Sequence, residues 1–274
     1  MDAWQAGLTL HERQALLGAG PPGAAAGSRW QRWRSQPPFA DDQWWQVRWD
    51  QAGIAPATLE HLLDPPRLDS APPAWFSTFQ SCYAAAAAWQ PLAWFSAPSL
   101  LEALLPLLNW ALQTVQQRCR DWIAQPVAFE WEPILVALHS QLGQRLAQLA
   151  APMLALELNI ARVRGDLRGA DAEARFGDFV RRFPGHAADL LLKYPVLARL
   201  LVEEATDWIA AVATLVTRLQ QDWPQIGATF GPASAAGACV AVRLGAGDSH
   251  NGQSVSILRF ASGWQLVYKP RSLG

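Results

Sequence analysis

The stretch VAVRLGAGDSHNGQSVSILRFASGWQLVYK, Val240 to Lys269, decides the fold. Apolar residues alternate at Val240, Val242 and Leu244. They recur at Val255, Ile257, Leu258 and Phe260, and again at Leu266, Val267 and Tyr268. A period near two in short runs marks half-buried strands. Ala261, Ser262 and Gly263 supply a tight turn between the second and third runs, and the glycine-rich Gly245–Gly252 joins the first two. The expectation is an antiparallel meander of three strands.

Working outward, the Ala- and Gly-rich stretch Gly231 to Ala238 is a shift in composition and the best boundary in the chain. Upstream of it the period changes. Ile134, Leu138, Leu142, Leu146, Leu149, Met153, Leu156, Ile160 and Val163 recur in steps of three and four, which places them on one helical stripe. Pro152 inside that run predicts a kink or a break. Gly165 and Gly169 bracket a loop, after which Asp171 is a cap for a helix starting at Ala172. His186 to Trp223 reads as a helical pair punctuated by Pro195 and ending near Pro224 and Gly227. Residues 1 to about 70 hold short helices between the breakers Pro21-Pro22-Gly23, Pro37-Pro38 and Pro65-Pro66. The chain is therefore expected to be mainly α with a small antiparallel β meander at the C-terminus, divided into a helical region, 1–230, and a β region, 231–274.

Composition narrows the function classes. Hydrophobic residues make up 51% and charged residues 16%, enough apolar material for a core, and the formal net charge is -1. Nucleic-acid binders are usually clearly basic, so no nucleic-acid partner is expected. Cys82, Cys119 and Cys239 lie far apart, with neither a CxxC pair nor zinc spacing to histidine. No disulfide framework and no metal site are expected, and the compartment reads as reducing and cytoplasmic. The N-terminal MDAWQAGLTLHERQ lacks the pattern of a secretory signal. The longest apolar run, Leu100 to Leu112, is interrupted by Glu102, Pro106 and Asn109, so the chain is expected to be soluble with no transmembrane segment. Fifteen tryptophans, five of them at Trp30, Trp33, Trp44, Trp45 and Trp49, read as a Trp-rich helical core. A sugar- or peptide-binding groove is the alternative.

Two readings stand for the polar residues of the meander. Asp248 and His250, two apart in an extended loop, can lie on one side of it, with histidine exchanging protons near neutrality and a carboxylate orienting it or acting as a base. Otherwise Asp248 caps the turn and His250 is an exposed loop residue. Lys269, at the end of the third strand, can neutralise phosphoryl charge, or it is a strand-end lysine in water. Glycines let a backbone approach an anion closely, although such turns also join ordinary strands.

The run GDSHNGQSVSILRFASGWQLVYKPRSL, Gly247 to Leu273, resembles the signature hairpin of the dehydration domain of class II (LanM-type) lanthipeptide synthetases, with its pattern GD-x-H-x-x-G-x-SV followed by LVYKPRSL. Leu156–Arg162 and Arg175–Phe179 are similar to that family's helical ELN-x-AR and RF-x-x-F elements, and Tyr194–Leu201 to its YPVLARLL helix. Arg32-Trp33-Arg34 is a weaker echo. The resemblance implies a lipid-kinase-like domain that phosphorylates Ser and Thr of a lanthipeptide precursor peptide with ATP and Mg2+. It then eliminates phosphate to leave dehydroalanine or dehydrobutyrine. By position, Lys269 matches the lysine of phosphoryl transfer, and Asp248 and His250 match the loop pair of phosphate elimination. Gly247, Gly252 and Ser254 belong to the phosphate or nucleotide loop. The family's zinc cyclase has no counterpart here.

A kinase-like site also needs a carboxylate-bearing catalytic loop and metal ligands, which do not follow Lys269 before Gly274. The expectation is an incomplete lipid-kinase-like dehydration domain, an amino-terminal fragment inactive alone and completed by the missing synthetase lobes, with an exposed sheet edge. The alternative is a non-catalytic helical module that binds precursor peptide or a partner synthetase chain.

Overall fold

The computed structural model describes residues 3–17, 26–37, 39–63, 71–85, 97–120, 129–231, 236–247 and 254–270. Helices α1 (Leu10–Leu17), α2 (Ala26–Arg34), α3 (Asp42–Ala52), α4 (Pro56–Leu62) and α5 (Ala74–Ala84) are followed by α6 (Leu105–Arg118) and α7 (Trp131–Arg164). Then come α8 (Ala172–Val180), α9 (Phe183–Leu192) and α10 (Pro195–Phe230), and strands β1 (Cys239–Arg243), β2 (Ser256–Phe260) and β3 (Gln265–Tyr268). The chain is mainly α with a small antiparallel sheet near its C-terminus, as the periodicities require. It divides into two compact units, Met1–Phe76 with Leu191–Ala198, and Ser77–Leu190 with Arg199–Gly274. The switch from helix to strand falls between Phe230 and Cys239, and the sheet shares its compact unit with α6, α7 and α8.

The first unit is built around tryptophan. Asp41 caps α3 by accepting from the backbone N–H of Gln43 at 2.8 Å. One helical turn apart, Trp45 and Trp49 then enter a core with Ile54, Leu59 and Leu62. Trp30, Trp33 and Phe39 meet Trp45 edge-on, with ring centroids at 4.8, 6.2 and 5.9 Å. That geometry sets the positive rim of one ring on the negative face of the next. Among the five early tryptophans, Trp44 alone is exposed. The core reading of these residues is the one the packing supports.

In the second unit α7 is the central strut, packed by α6, α8, the 3-10 turn Leu100–Leu104 and β1. It is continuous through Pro152, so of the expected kink or break the break is absent. Its stripe is buried at Ile134, Leu138, Leu142, Leu146 and Met153, but Leu149, Leu156 and Val163 are 38%, 50% and 81% exposed. A row with seven-residue spacing falls about 20° behind a straight helix per heptad. The buried face therefore passes instead through Ala150, Leu154 and Glu157. This helix has the length and hydropathy of a membrane span, yet one side packs on α6 and β1 and carries the buried His139 and Glu157.

The loop after α7 is tied to α8. Asp171 caps that helix by accepting from Ala174 N at 2.7 Å. Asp178, inside the RF-x-x-F element, accepts from Arg168 N at 2.9 Å and pairs with Arg182. The Arg168 N–H and the neighbouring arginines hold its carboxyl below the usual carboxylate range.

α10 does not end at Pro224 or Gly227 but runs to Phe230. Pro224 is exposed, while Leu215, Val216, Leu219 and Trp223 on the other side of the helix are buried. Trp223 stacks on Phe260 of β2 with centroids 5.4 Å apart. An interior proline costs a helix ~3 kcal/mol, and this packing outweighs it.

Candidate functional site

The sheet has the order β1-β2-β3, antiparallel throughout. Its β2–β3 turn is the expected one. Gly263, at φ 87°, returns its N–H to Phe260 O at 2.9 Å, and Phe260 N donates to Trp264 O at 2.9 Å. A three-residue loop closed this way needs a left-handed residue in third place, which glycine adopts without strain.

Alternation sorts the sheet into two faces. Val242, Ser256, Leu258 and Phe260 are buried on the helix-packed face. The open face forms rows across the strands: Ala241, Arg259 and Gln265; then Arg243, Ile257 and Val267. Ser256 pairs with Tyr268, so Lys269 lies level with Val255 at the next step. Ala246 N donates to Val255 O at 2.9 Å, which puts the root of the glycine-rich loop at that same end of the sheet. Arg243, Arg259, Val267 and Lys269 are exposed, and Val255 and Ile257 half-buried. The result is an apolar sheet surface bearing a cation on each strand or at its end, without a carboxylate among those residues.

Three anchors fix this end of the sheet. Gln141 of α7 caps the outer edge of β1, its amide N–H donating to Val242 O at 3.2 Å and its carbonyl accepting from Leu244 N at 3.0 Å. Arg218 of α10 donates to the Tyr268 hydroxyl at 2.5 Å, one residue before Lys269. Ser254 Oγ accepts from Gly245 N at 2.9 Å, so the serine of the expected nucleotide loop closes the base of that loop. Arg145 of α7 lies against Gly245 and pairs with Glu204 of α10 at 2.9 Å. Asp207 follows on α10, its carboxyl pushed up by burial and by Glu204 and Glu203.

Of the site residues expected from sequence, Gly247, Ser254 and Lys269 are brought to one end of the sheet. Asp248, His250 and Gly252 lie outside the described residues. Gln141, Arg145, Glu204 and Arg218 were not singled out from sequence; each sits in an ordinary helical pattern, and only the fold carries it to the hairpin. Cys82, Cys119 and Cys239 are buried and free, and burial pushes their thiols up to about 12, about 11 and about 12. Such thiols are poor nucleophiles and metal ligands. Among the described residues no group of three or more His, Cys, Asp or Glu could hold a metal ion.

Residues 194–274 match the family described as Domain of unknown function (DUF4135). The match takes in the whole of α10, the whole sheet and the glycine-rich loop. No curated protein matches the chain.

Proposed function

We propose that this chain supplies the helical scaffold and the nucleotide-facing hairpin of a lanthipeptide-type dehydratase. The observation that carries the reading is Lys269 level with Val255 at the root of the glycine-rich loop, on an open sheet face bearing Val267, Ile257 and two arginines. Such a face suits a nucleotide, with apolar side chains against the base and an ammonium beside the phosphates. The hairpin motif is the same one that carries the sequence resemblance.

In this reading a Ser or Thr hydroxyl oxygen of the precursor peptide attacks the γ-phosphorus of ATP and ADP leaves. Lys269 offsets the charge that develops on the transferred group. A base then removes the α-proton of the phosphorylated residue, the Cβ–O bond breaks, phosphate departs and the Cα=Cβ bond forms. His250 and Asp248 are assigned to that proton transfer and to the leaving phosphate. No described residue is assigned to Mg2+. No described residue is assigned to the carboxylate loop of the phosphoryl-transfer site either.

The test is titration of the full chain with a non-hydrolysable ATP analogue and Mg2+, read by calorimetry, with Lys269→Met alongside. A charge-assisted contact contributes ~1.5–3 kcal/mol, so the variant should bind about tenfold to a hundredfold more weakly. Equal affinity in both proteins would sink the assignment. A second reading, a non-catalytic module that holds precursor peptide, is favoured by the exposed row Leu149, Leu156 and Val163 on α7. Peptide binding that persists while no nucleotide binds would select it.

A further inference from the structure

We propose that Arg145 is the positioning residue of the glycine-rich hairpin, through which α7 and α10 set the loop root and, with it, the phosphate subsite. The inference rests on the nucleotide reading above for its functional half and on geometry for its structural half.

One edge of the guanidinium, Nη1, donates to Glu204 Oε1 at 2.9 Å, and both side chains are about one-third exposed (34% and 31%). The other edge lies against Gly245. A Cβ built on Gly245 would stand 2.9 Å from Arg145 Nη2. Gly245 has φ 72°, a backbone conformation that asks for glycine there, and the guanidinium lies against the space a side chain would take. Its N–H is already committed to Ser254 Oγ. Four residues earlier on the same face of α7, Gln141 bonds Val242 and Leu244. Gln141 thus holds the backbone at Val242 and Leu244, and Arg145 lies against Gly245, where β1 becomes the loop.

A plain tie between α7 and α10 would need only a positive charge opposite Glu204. The positioning role needs the planar fork, because a single ammonium cannot serve both Glu204 and the space against Gly245. Arg145→Lys separates the two. Hydrogen exchange at Leu244–Gly247 is measured in the full chain by mass spectrometry, together with affinity for the ATP analogue and thermal melting.

The expected result is exchange about tenfold faster in Arg145→Met and in Arg145→Lys, with nucleotide affinity about tenfold lower in both and the melting of Arg145→Lys unchanged. Wild-type exchange and affinity in Arg145→Lys would overturn the proposal and leave a structural ion pair. Faster exchange in a chain that binds no nucleotide even as wild type would overturn the nucleotide reading while the clamp stands.

Discussion

His139 illustrates what burial does to a titratable group. It is 2% exposed on α7, and its Nε2–H donates to Leu108 O of α6 at 2.8 Å. Loss of solvent lowers its pKa below the ordinary 6.5, and the bond to Leu108 only partly offsets this. The unfolded chain therefore binds a proton that the folded chain refuses. Stability from this residue is complete above about pH 6.5 and is lost as pH falls from there through the folded value. Urea midpoints should drop between about pH 7.5 and about pH 5.5. His139→Leu should lose ~1 kcal/mol at neutral pH and show a flatter acid slope. An acid slope as steep in the variant as in the wild type would assign the effect elsewhere. At this scale the sequence pointed to Lys269, Gly247 and Ser254 through a dense local pattern, and the fold gathers them at one end of the sheet. It gave no sign of Arg145 or Glu204, whose partnership spans 59 residues and exists only once α7 and α10 pack.

At the scale of elements, the meander was readable almost residue by residue. Period two survives in short strands that pack one face on helices, and Gly263 marks the turn as only a left-handed residue can. Among the helices the capped start of α8 at Asp171 and the end of α7 at Gly165 were readable, but not the end of α10. Pro224 and Pro152 are local breakers overruled by tertiary packing, and from Leu142 onward α7's apolar row drifts off the buried face because it repeats every seven residues there. Pro152 is exposed and leaves one helical bond unmade. Pro152→Ala should therefore stabilise the chain by about 1–3 kcal/mol in urea unfolding, the helix gain less the added freedom of the unfolded state. A destabilised variant would mean that Pro152 contributes to α7 more than the helical bond it removes.

At the scale of the whole molecule, the two edges of the sheet differ in kind. The outer edge of β1 is covered, by Glu130 N donating to Cys239 O at 2.9 Å, by the bridge from Phe129 to Cys239, and by the amide of Gln141. The outer edge of β3 has no partner strand among the described residues. Val267, on that strand and 53% exposed, adds an apolar side chain to a row of backbone groups able to pair. An edge of this kind templates association with a second strand unless a charge or a bulge blocks it. With a net charge of -1, long-range repulsion between copies does little to prevent it. The 274-residue chain should therefore self-associate as its concentration rises, seen as an increase in weight-average mass in sedimentation equilibrium. Val267→Lys places a charge at the middle of the edge and should return the chain to the monomer mass without changing its helical circular dichroism. Association undiminished in that variant would move the contact to the exposed row of α7, where Leu156→Lys then provides the matching experiment.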